Sequence, residues 1–278
     1  MQHCRTIQLP AKMIKFSGIN RKKNICKMLT YLIVCPLVFI AGIIDAIAGG
    51  GGLITLPAYM IAGLPPHMAI ATNKMSSSLG TATATIRYAK EGYIPWKLAI
   101  VSAVFSLVGS NIGARISLSI SDSILKAVML VLLPATAVFV LKSKVLDVER
   151  EPLSNRTTFI LSACIALCLG TYDGFYGPGT GTFLLILFTS LVHLKLTEAN
   201  GVTKVINLAS NVSALVVFLA SGNTVISLGL AAGVFSIAGN WLGTRLFSKK
   251  GAAVAKPVMI IVLAIFFVKV ILELAGVI

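Results

Sequence analysis

The sequence predicts an all-α, polytopic membrane protein of two homologous halves, with about eight full spans and two short, broken helices. Three observations support this prediction: the apolar composition, the length of the apolar runs, and a set of motifs that occurs twice. Hydrophobic residues make up 56% of the 278 residues and charged residues only 12%, against about 25% charged in a soluble domain. Runs such as 28–44, 124–141 and 254–272 are apolar at nearly every position, whereas the strands of a membrane barrel alternate.

The net charge of +15 comes from short loops and from the first 28 residues, without a basic face interleaved with aromatic residues. This distribution favours the lipid bilayer as the partner and argues against nucleic acid, since basic loops of a membrane protein report its orientation. The five cysteines form no CxxC motif and the three histidines have no metal-ligand company. We therefore expect no metal site.

Two of the predicted helices, 53–64 and 182–194, are too short to cross a bilayer. At 1.5 Å per residue they reach only about 18–20 Å, against a hydrocarbon core of about 30 Å. We expect them to be half-helices that follow a break in the chain. The full-length helices are predicted at 29–48, 69–87, 98–118, 124–141, 157–176, 197–221, 226–247 and 254–275.

The two halves repeat the same motifs in the same order. Asp45 recurs as Asp173, at an offset of 128 residues, and Lys74 recurs as Lys204, at an offset of 130. Five segments per half is an odd number, so the second half is inverted if every segment crosses, and parallel to the first if the short segments re-enter. We expect inverted repeats, with a basic N-terminal extension, a first repeat, a charged linker and a second repeat at 1–27, 28–141, 142–156 and 157–278.

The basic residues before Met28, with the apolar run and Ala46-Ile47-Ala48 after it, resemble a secretory signal. We do not expect cleavage, because this run has its partner in the second half. The alternative is that the chain starts at Met28.

Glycine-rich runs stand between a long helix and a half-helix in both repeats. Gly49-Gly50-Gly51 is matched by Gly177-Pro178-Gly179. Unwound backbone at membrane depth persists where it lines a wet cavity, and the following half-helix then presents free N–H groups and a positive dipole end. The runs therefore predict an anion site, although close helix packing by small residues is the alternative.

Asp45 and Asp173 each precede a glycine run by four residues, in stretches without other charges. Acidic residues are costly there, so we expect them either to cap the freed N–H groups or to take up a coupled proton. Ion pairs Lys74–Asp45 and Lys204–Asp173 would satisfy both charges.

Polar side chains follow each lysine at helical spacing. Lys204, Asn207 and Asn211 share one face, and Asn73 and Lys74 precede Ser77 in the first half. Such a stripe suits an oxyanion, but lysines near helix starts also reach to the membrane interface. By contrast, the repeated pair Gly109/Gly113 and Gly239/Gly243 predicts tight helix contacts rather than substrate binding.

The runs 42–57, 71–74 and 172–181 resemble the signature of the TauE/SafE (TSUP) sulfite exporter family, particularly its YfcA-like branch. The resemblance implies a multi-pass transporter of the cell inner membrane for sulfite, sulfoacetate or another organosulfonate, driven by the proton gradient and without a cofactor. The family motif maps onto Asp45, Gly49 to Gly51, Asn73, Lys74, Asp173, Gly177 and Gly179. The alternative is an intramembrane enzyme that uses Asp45 and Asp173 as a carboxyl pair, which would need the two to share a proton.

Overall fold

The computed structural model describes residues 17–125, 127–128 and 151–250, and for residues 17–27 and Lys250 it describes the backbone alone. We number its helices along the chain. They are α1 (Ser17–Ala48), α2 (Gly52–Ile61), α3 (Pro66–Lys90), α4 (Trp96–Ser119), α5 (Asn155–Phe175), α6 (Thr180–Ser190), α7 (Leu196–Ala220) and α8 (Ile226–Lys250). The predicted helix 254–275 and nearly all of 124–141 lie outside the described residues.

Within the described residues, five helices are long and apolar enough to cross a membrane: α1 from Met28, α4, α5, α7 and α8. The chain is therefore a polytopic helical membrane protein, as predicted. α2 and α6 have 10 and 11 residues and reach only about 15–17 Å, which confirms the prediction of two short helices. α3 has 25 residues, and its polar side chains keep it from being identified as a span by hydropathy.

The fourth helix of each half packs against the other half. α8 lies against α1 and α3, and α4 lies against α5 and α7. Glycines allow these contacts: a Cβ on Gly109 or Gly113 would collide with the backbone of α5, and one on Gly239 or Gly243 with the backbone of α1. The predicted tight contacts at these four glycines are confirmed.

Residue contacts give the relative directions of the helices. Gly239 meets Phe39 and Gly243 meets Ile43, so α8 runs parallel to α1. α3 also runs parallel to α8, since its residues 75 and 79 meet residues 229 and 233. On the other side, Ser106 and Ser110 of α4 donate to the carbonyls of residues 206 and 210, so α4 and α7 are parallel.

The two groups run in opposite directions. His67, in the first turn of α3, contacts the carbonyl oxygen of Ser117 near the end of α4 at 2.8 Å, while a short loop joins the end of α3 to the start of α4. Gly109 meets Leu167 and Gly113 meets Phe175, which places α5 parallel to α4. Hence α1, α3 and α8 share one direction, and α4, α5 and α7 share the other.

The apolar core also joins the halves. Tyr59 of α2 belongs to one buried cluster with Phe218 of α7 and Leu228 of α8. A second cluster holds Tyr88 of α3 together with Phe188 of α6. The halves are thus one packed unit rather than two separate bundles.

Candidate functional site

In the described residues, each half has a break between a long helix and a half-helix, at 49–51 between α1 and α2 and at 176–179 between α5 and α6. We call these segments the first and second break. Gly49 has φ +75° and Gly177 has φ +98°, a left-handed conformation that glycine adopts without a steric penalty. The backbone geometry thus explains why glycine stands at these two positions.

The two breaks touch each other. A Cβ on Gly49 would lie 2.6 Å from the Cα of Gly181, and one on Gly52 would lie 3.1 Å from the Cα of Pro178. Contacts this close require glycine, because real Cβ atoms do not approach a neighbouring backbone to 2.6 Å. The structure therefore brings the breaks of both halves to one place, and the half-helices α2 and α6 begin there.

A cavity of about 40 Å³ lies where the breaks meet. A cavity holds a water molecule when this volume exceeds about 10–15 Å³, so this one accommodates about three waters or a small anion. Both halves line it. The predicted site residues among its walls are Asp45, Gly49, Gly51, Asn73, Lys74, Ser77, Asp173, Gly177, Asn207 and Asn211.

Three predicted site residues are not among the walls of this cavity: Gly50, Gly179 and Lys204. Gly179 instead precedes the first residue of α6 with φ +85°, so its role there is to shape the turn. Lys204 lies behind Asp45, fully buried. Gly50 accepts a hydrogen bond from the N–H of Leu53 in the first turn of α2.

Lys74 is buried and binds across the halves. Its ammonium group donates to Asp173 Oδ2 at 2.7 Å and to Asn211 Oδ1 at 3.1 Å. The hydroxyl of Ser210 donates to the same Asp173 oxygen at 2.6 Å. Asp173 therefore has two donors, and both come from outside its own helix.

Lys204 forms the equivalent ion pair with Asp45, at 3.0 Å from Oδ2, and also binds the Asp45 backbone oxygen. The predicted pairs Lys74–Asp45 and Lys204–Asp173 were therefore wrong, because each lysine pairs with the aspartate of the other half. The physical reason is that the two lysine helices, α3 and α7, pack against each other at the interface of the halves.

The two carboxylates differ in exposure. The side chain of Asp45 is 20% exposed and that of Asp173 is 7% exposed. The position of Ser210, 130 residues earlier, is occupied by Gly80, so Asp45 has no matching hydroxyl donor. Asp45 is the less enclosed of the two.

In the second break, the N–H groups of Tyr176 and Gly177 both donate to the Tyr172 carbonyl, whereas, in the part of the chain that the structure describes, the first break and the start of α2 leave amides without a backbone acceptor. The N–H of Gly49 donates to the Asp45 carbonyl at 2.8 Å, but the N–H groups of Gly51 and Gly52 have no backbone acceptor within the described residues. The carboxylate of Asp173 bonds to Lys74 and Ser210, and that of Asp45 bonds to Lys204. None of these bonds joins an aspartate carboxylate to a break amide, so they do not support the predicted capping role.

Sequence reasoning missed several walls of the cavity. Ser236 and Asn240 of α8 line it, as do Thr55 of α2 and Thr180 and Gly181 of α6. Their signal was present: Ser236 and Asn240 are four residues apart, next to the Gly239-x-x-x-Gly243 motif that packs α8 on α1. A polar pair beside a tight contact faces the neighbouring helices rather than lipid.

Comparison with known proteins agrees with this architecture. Residues 34–270 match the family model described as sulfite exporter TauE/SafE. The chain belongs to the TauE/SafE family. The resemblance seen in its motifs is thereby confirmed, and no solved structure matches the chain.

Curated relatives cover most of this TauE/SafE chain. "Probable membrane transporter protein ORF9" of Sinorhizobium sp is 37% identical over 84% of this chain and 89% of its own length. "Probable membrane transporter protein YfcA" of Escherichia coli K12 is 32% identical over 90% and 93%. A "probable membrane transporter protein" of Haemophilus influenzae is 31% identical over 80% and 87%. With its helical spans, the chain is thus a multi-pass membrane transporter.

These relatives agree with the expectation that the chain is not an enzyme. The alternative reading needed Asp45 and Asp173 to act as a carboxyl pair that shares one proton. Each carboxylate instead accepts from a different lysine. The observed contacts do not form such a pair.

Proposed function

We propose that this transporter carries a small sulfur oxyanion of the sulfite type across the cell inner membrane, through the cavity at the two breaks. The observation that supports this most directly is that both breaks touch and line one cavity together with Lys74. The matching family is described as a sulfite exporter, which supports a substrate whose central atom is sulfur. A cavity of about 40 Å³ supports a small anion as the substrate.

The cavity supplies the donors that an oxyanion needs. The half-helices α2 and α6 both begin at its walls, at Gly52 and Thr180, and a helix start carries a partial positive charge and free N–H groups. Lys74, whose ammonium group has three N–H bonds, and the amide groups of Asn73 and Asn211 add further donors. Together these groups replace the water that an anion loses on entry.

The fixed charges around the cavity cancel. Lys74 pairs with Asp173, and Lys204 pairs with Asp45, so an entering anion leaves the site with a net negative charge. Such a charge is costly at membrane depth. Co-transport of a proton removes that cost, and the more exposed Asp45 is the proposed proton acceptor among the side chains of the site.

We further propose that the two halves are inverted repeats. The support is that α1, α3 and α8 run opposite to their counterparts α5, α7 and α4. In transporters of inverted repeats, the substrate binds near the midplane beside broken helices, and the two sides open in turn. The proposed unit boundaries at 28–141 and 157–278 follow from the same repeat.

Uptake of radiolabelled sulfite into proteoliposomes, with and without an imposed pH gradient, tests this function. We expect uptake above that of empty liposomes, and faster uptake when the gradient is present. Lys74→Met should abolish flux, since it removes the buried ammonium group. Absence of uptake for sulfite, sulfoacetate and other sulfonates would reject the substrate, and uptake indifferent to the gradient would reject the proton coupling.

A further inference from the structure

Asn240 of α8 carries an acceptor that nothing within the described residues satisfies. Its side chain is 2% exposed, it lines the cavity, and its Oδ1 has no hydrogen-bond partner. Asn207 and Thr55 also line the cavity, and the Oδ1 of Asn207 and the Oγ1 of Thr55 likewise have no partner within the described residues. An unpaired buried acceptor is costly, so a donor from water or from a ligand in the cavity must satisfy it.

The orientation of the Asn240 amide is fixed by its neighbour. Its Nδ2 donates to the carbonyl oxygen of Ser236 at 3.0 Å. Turning the amide over would place Oδ1 against that carbonyl, and two acceptors would then face each other. Oδ1 is therefore the atom that remains without a partner beside the cavity.

This acceptor is present in one half alone. The residue 130 positions before Asn240 is Ser110, and its hydroxyl is used by the carbonyl of Ser210 at 2.6 Å. Asn240 has room because Gly80 and Gly42 face it: a Cβ on Gly42 would lie 3.1 Å from its Nδ2. Gly80 of the first half faces the large polar side chain of Asn240, whereas Ser210 of the second half faces the small side chain of Ser110.

We infer that Asn240 selects anions that carry a hydrogen-bond donor as well as a negative charge, by accepting that donor at Oδ1. This inference rests on the proposed function and narrows its substrate class. A fully deprotonated oxyanion presents acceptors in every direction, so it would set an oxygen against Oδ1. For sulfite, the site then selects the singly protonated ion, which brings its own proton into the cavity.

Sulfamate and methanesulfonate are a matched pair of probes. Both are monoanions with the same number of heavy atoms, and they differ in an amino group, which donates, and a methyl group, which does not. Binding of each to the purified protein is measured by thermal stabilisation, and each is also tested as an inhibitor of sulfite uptake. We expect the unmodified protein to bind sulfamate about tenfold more tightly than methanesulfonate.

Asn240→Leu, which keeps the branched shape without polar atoms, should bring the two affinities within about twofold of each other. Asn240→Ala, which only removes atoms, should do the same and guards against a packing defect in the leucine variant. Thr244→Val is the control, because Thr244 is buried one turn further along α8, bonds only to α8 carbonyls and does not line the cavity. It should keep the tenfold preference.

A purely structural role of Asn240 would weaken both probes equally and leave their ratio unchanged, which would overturn the inference. Equal affinities in the unmodified protein, or no binding of either probe, would overturn it as well. These outcomes are distinct from failure of the proposed function. That failure would appear as absent sulfite uptake, whereas the affinity ratio is measured on the purified protein without any flux.

Discussion

Ser210 donates a hydrogen bond of 2.6 Å to the same Asp173 oxygen that receives the ammonium group of Lys74. The equivalent carboxylate of Asp45 lacks this hydroxyl, since Gly80 occupies the matching position of α3. Asp173 is thereby held by two donors inside the packed interface, and Asp45 by a lysine alone. The two aspartates should consequently respond differently to substitution.

Ser210→Ala removes one donor from the buried carboxylate of Asp173. A hydrogen bond to a charged group contributes about 1.5–3 kcal/mol, so the melting temperature in detergent should fall by several degrees. Ser221→Ala serves as the control, because this residue is exposed just after the same helix and its hydroxyl bonds to the carbonyl of Phe218 and to the amide of Asn223, with no charged partner. Equal melting temperatures for both variants would contradict the assigned role of Ser210.

Asp173→Asn should impair folding, because it leaves the buried ammonium group of Lys74 without its counter-charge. Breaking one partner of a buried pair costs about 3–5 kcal/mol. Protein yield and thermal unfolding in detergent measure the loss.

Asp45→Asn should fold more nearly like the parent protein, since the Asp45 carbonyl oxygen still binds Lys204. Its defect should be functional. A pH gradient should no longer accelerate sulfite uptake, because asparagine cannot take up the proton that the partly exposed carboxylate of Asp45 accepts in the proposed mechanism. Uptake that keeps its full dependence on the gradient would assign the coupling to another group.

Exchange of charges tests the pairing across the halves. The double variant Lys74→Asp/Asp173→Lys should regain part of the stability that either single change loses, with a coupling of about 0.5–3 kcal/mol. The double variant Lys74→Asp/Asp45→Lys should show no such coupling. A coupling in the second double-mutant cycle, and none in the first, would show that Lys74 pairs with Asp45 of its own half. Unfolding of the parent protein, the three single variants and the two double variants in detergent provides the comparison.

Gly49→Ala should be far more harmful than Gly92→Ala. Both glycines have φ +75°, but a Cβ on Gly92 meets nothing within 4 Å, whereas one on Gly49 would collide with Gly181. The left-handed conformation alone costs about 1–2 kcal/mol, so Gly92→Ala should fold and transport. Gly49→Ala must separate the two breaks and should lose sulfite uptake. Similar behaviour of the two variants would show that contact between the breaks is not required.

The sequence allowed prediction of the two breaks because their cause is local. A glycine run between a long apolar helix and a half-length one already implies an interruption, and positive φ at Gly49 and Gly177 is the geometry that glycine serves. Local chemistry also explains where a helix begins, although the observed start can differ from the predicted one. α3 starts at Pro66 rather than at the predicted residue 69, since proline is compatible with a first helical turn.

The partner of each lysine could not be predicted in the same way. Helical spacing places Lys204, Asn207 and Asn211 on one face, but it does not say which helix that face meets. In the structure Asn211 binds Lys74 of the other half. For Asn240, the sequence indicates only that it faces neighbouring helices, because its position at the cavity depends on the packing of α8 against the other half.

That packing determines which parts of the protein can move against each other. Glycine contacts fasten α8 to α1 and α3, and α4 to α5, while hydrogen bonds from Ser106 and Ser110 fasten α4 to α7. We therefore expect two rigid groups of helices, one of α1, α3 and α8 and the other of α4, α5 and α7, and each contains helices of both halves. Both ion pairs, Lys74–Asp173 and Lys204–Asp45, connect one group to the other. A rotation of one group against the other that opens the cavity would therefore lengthen both ion pairs at once.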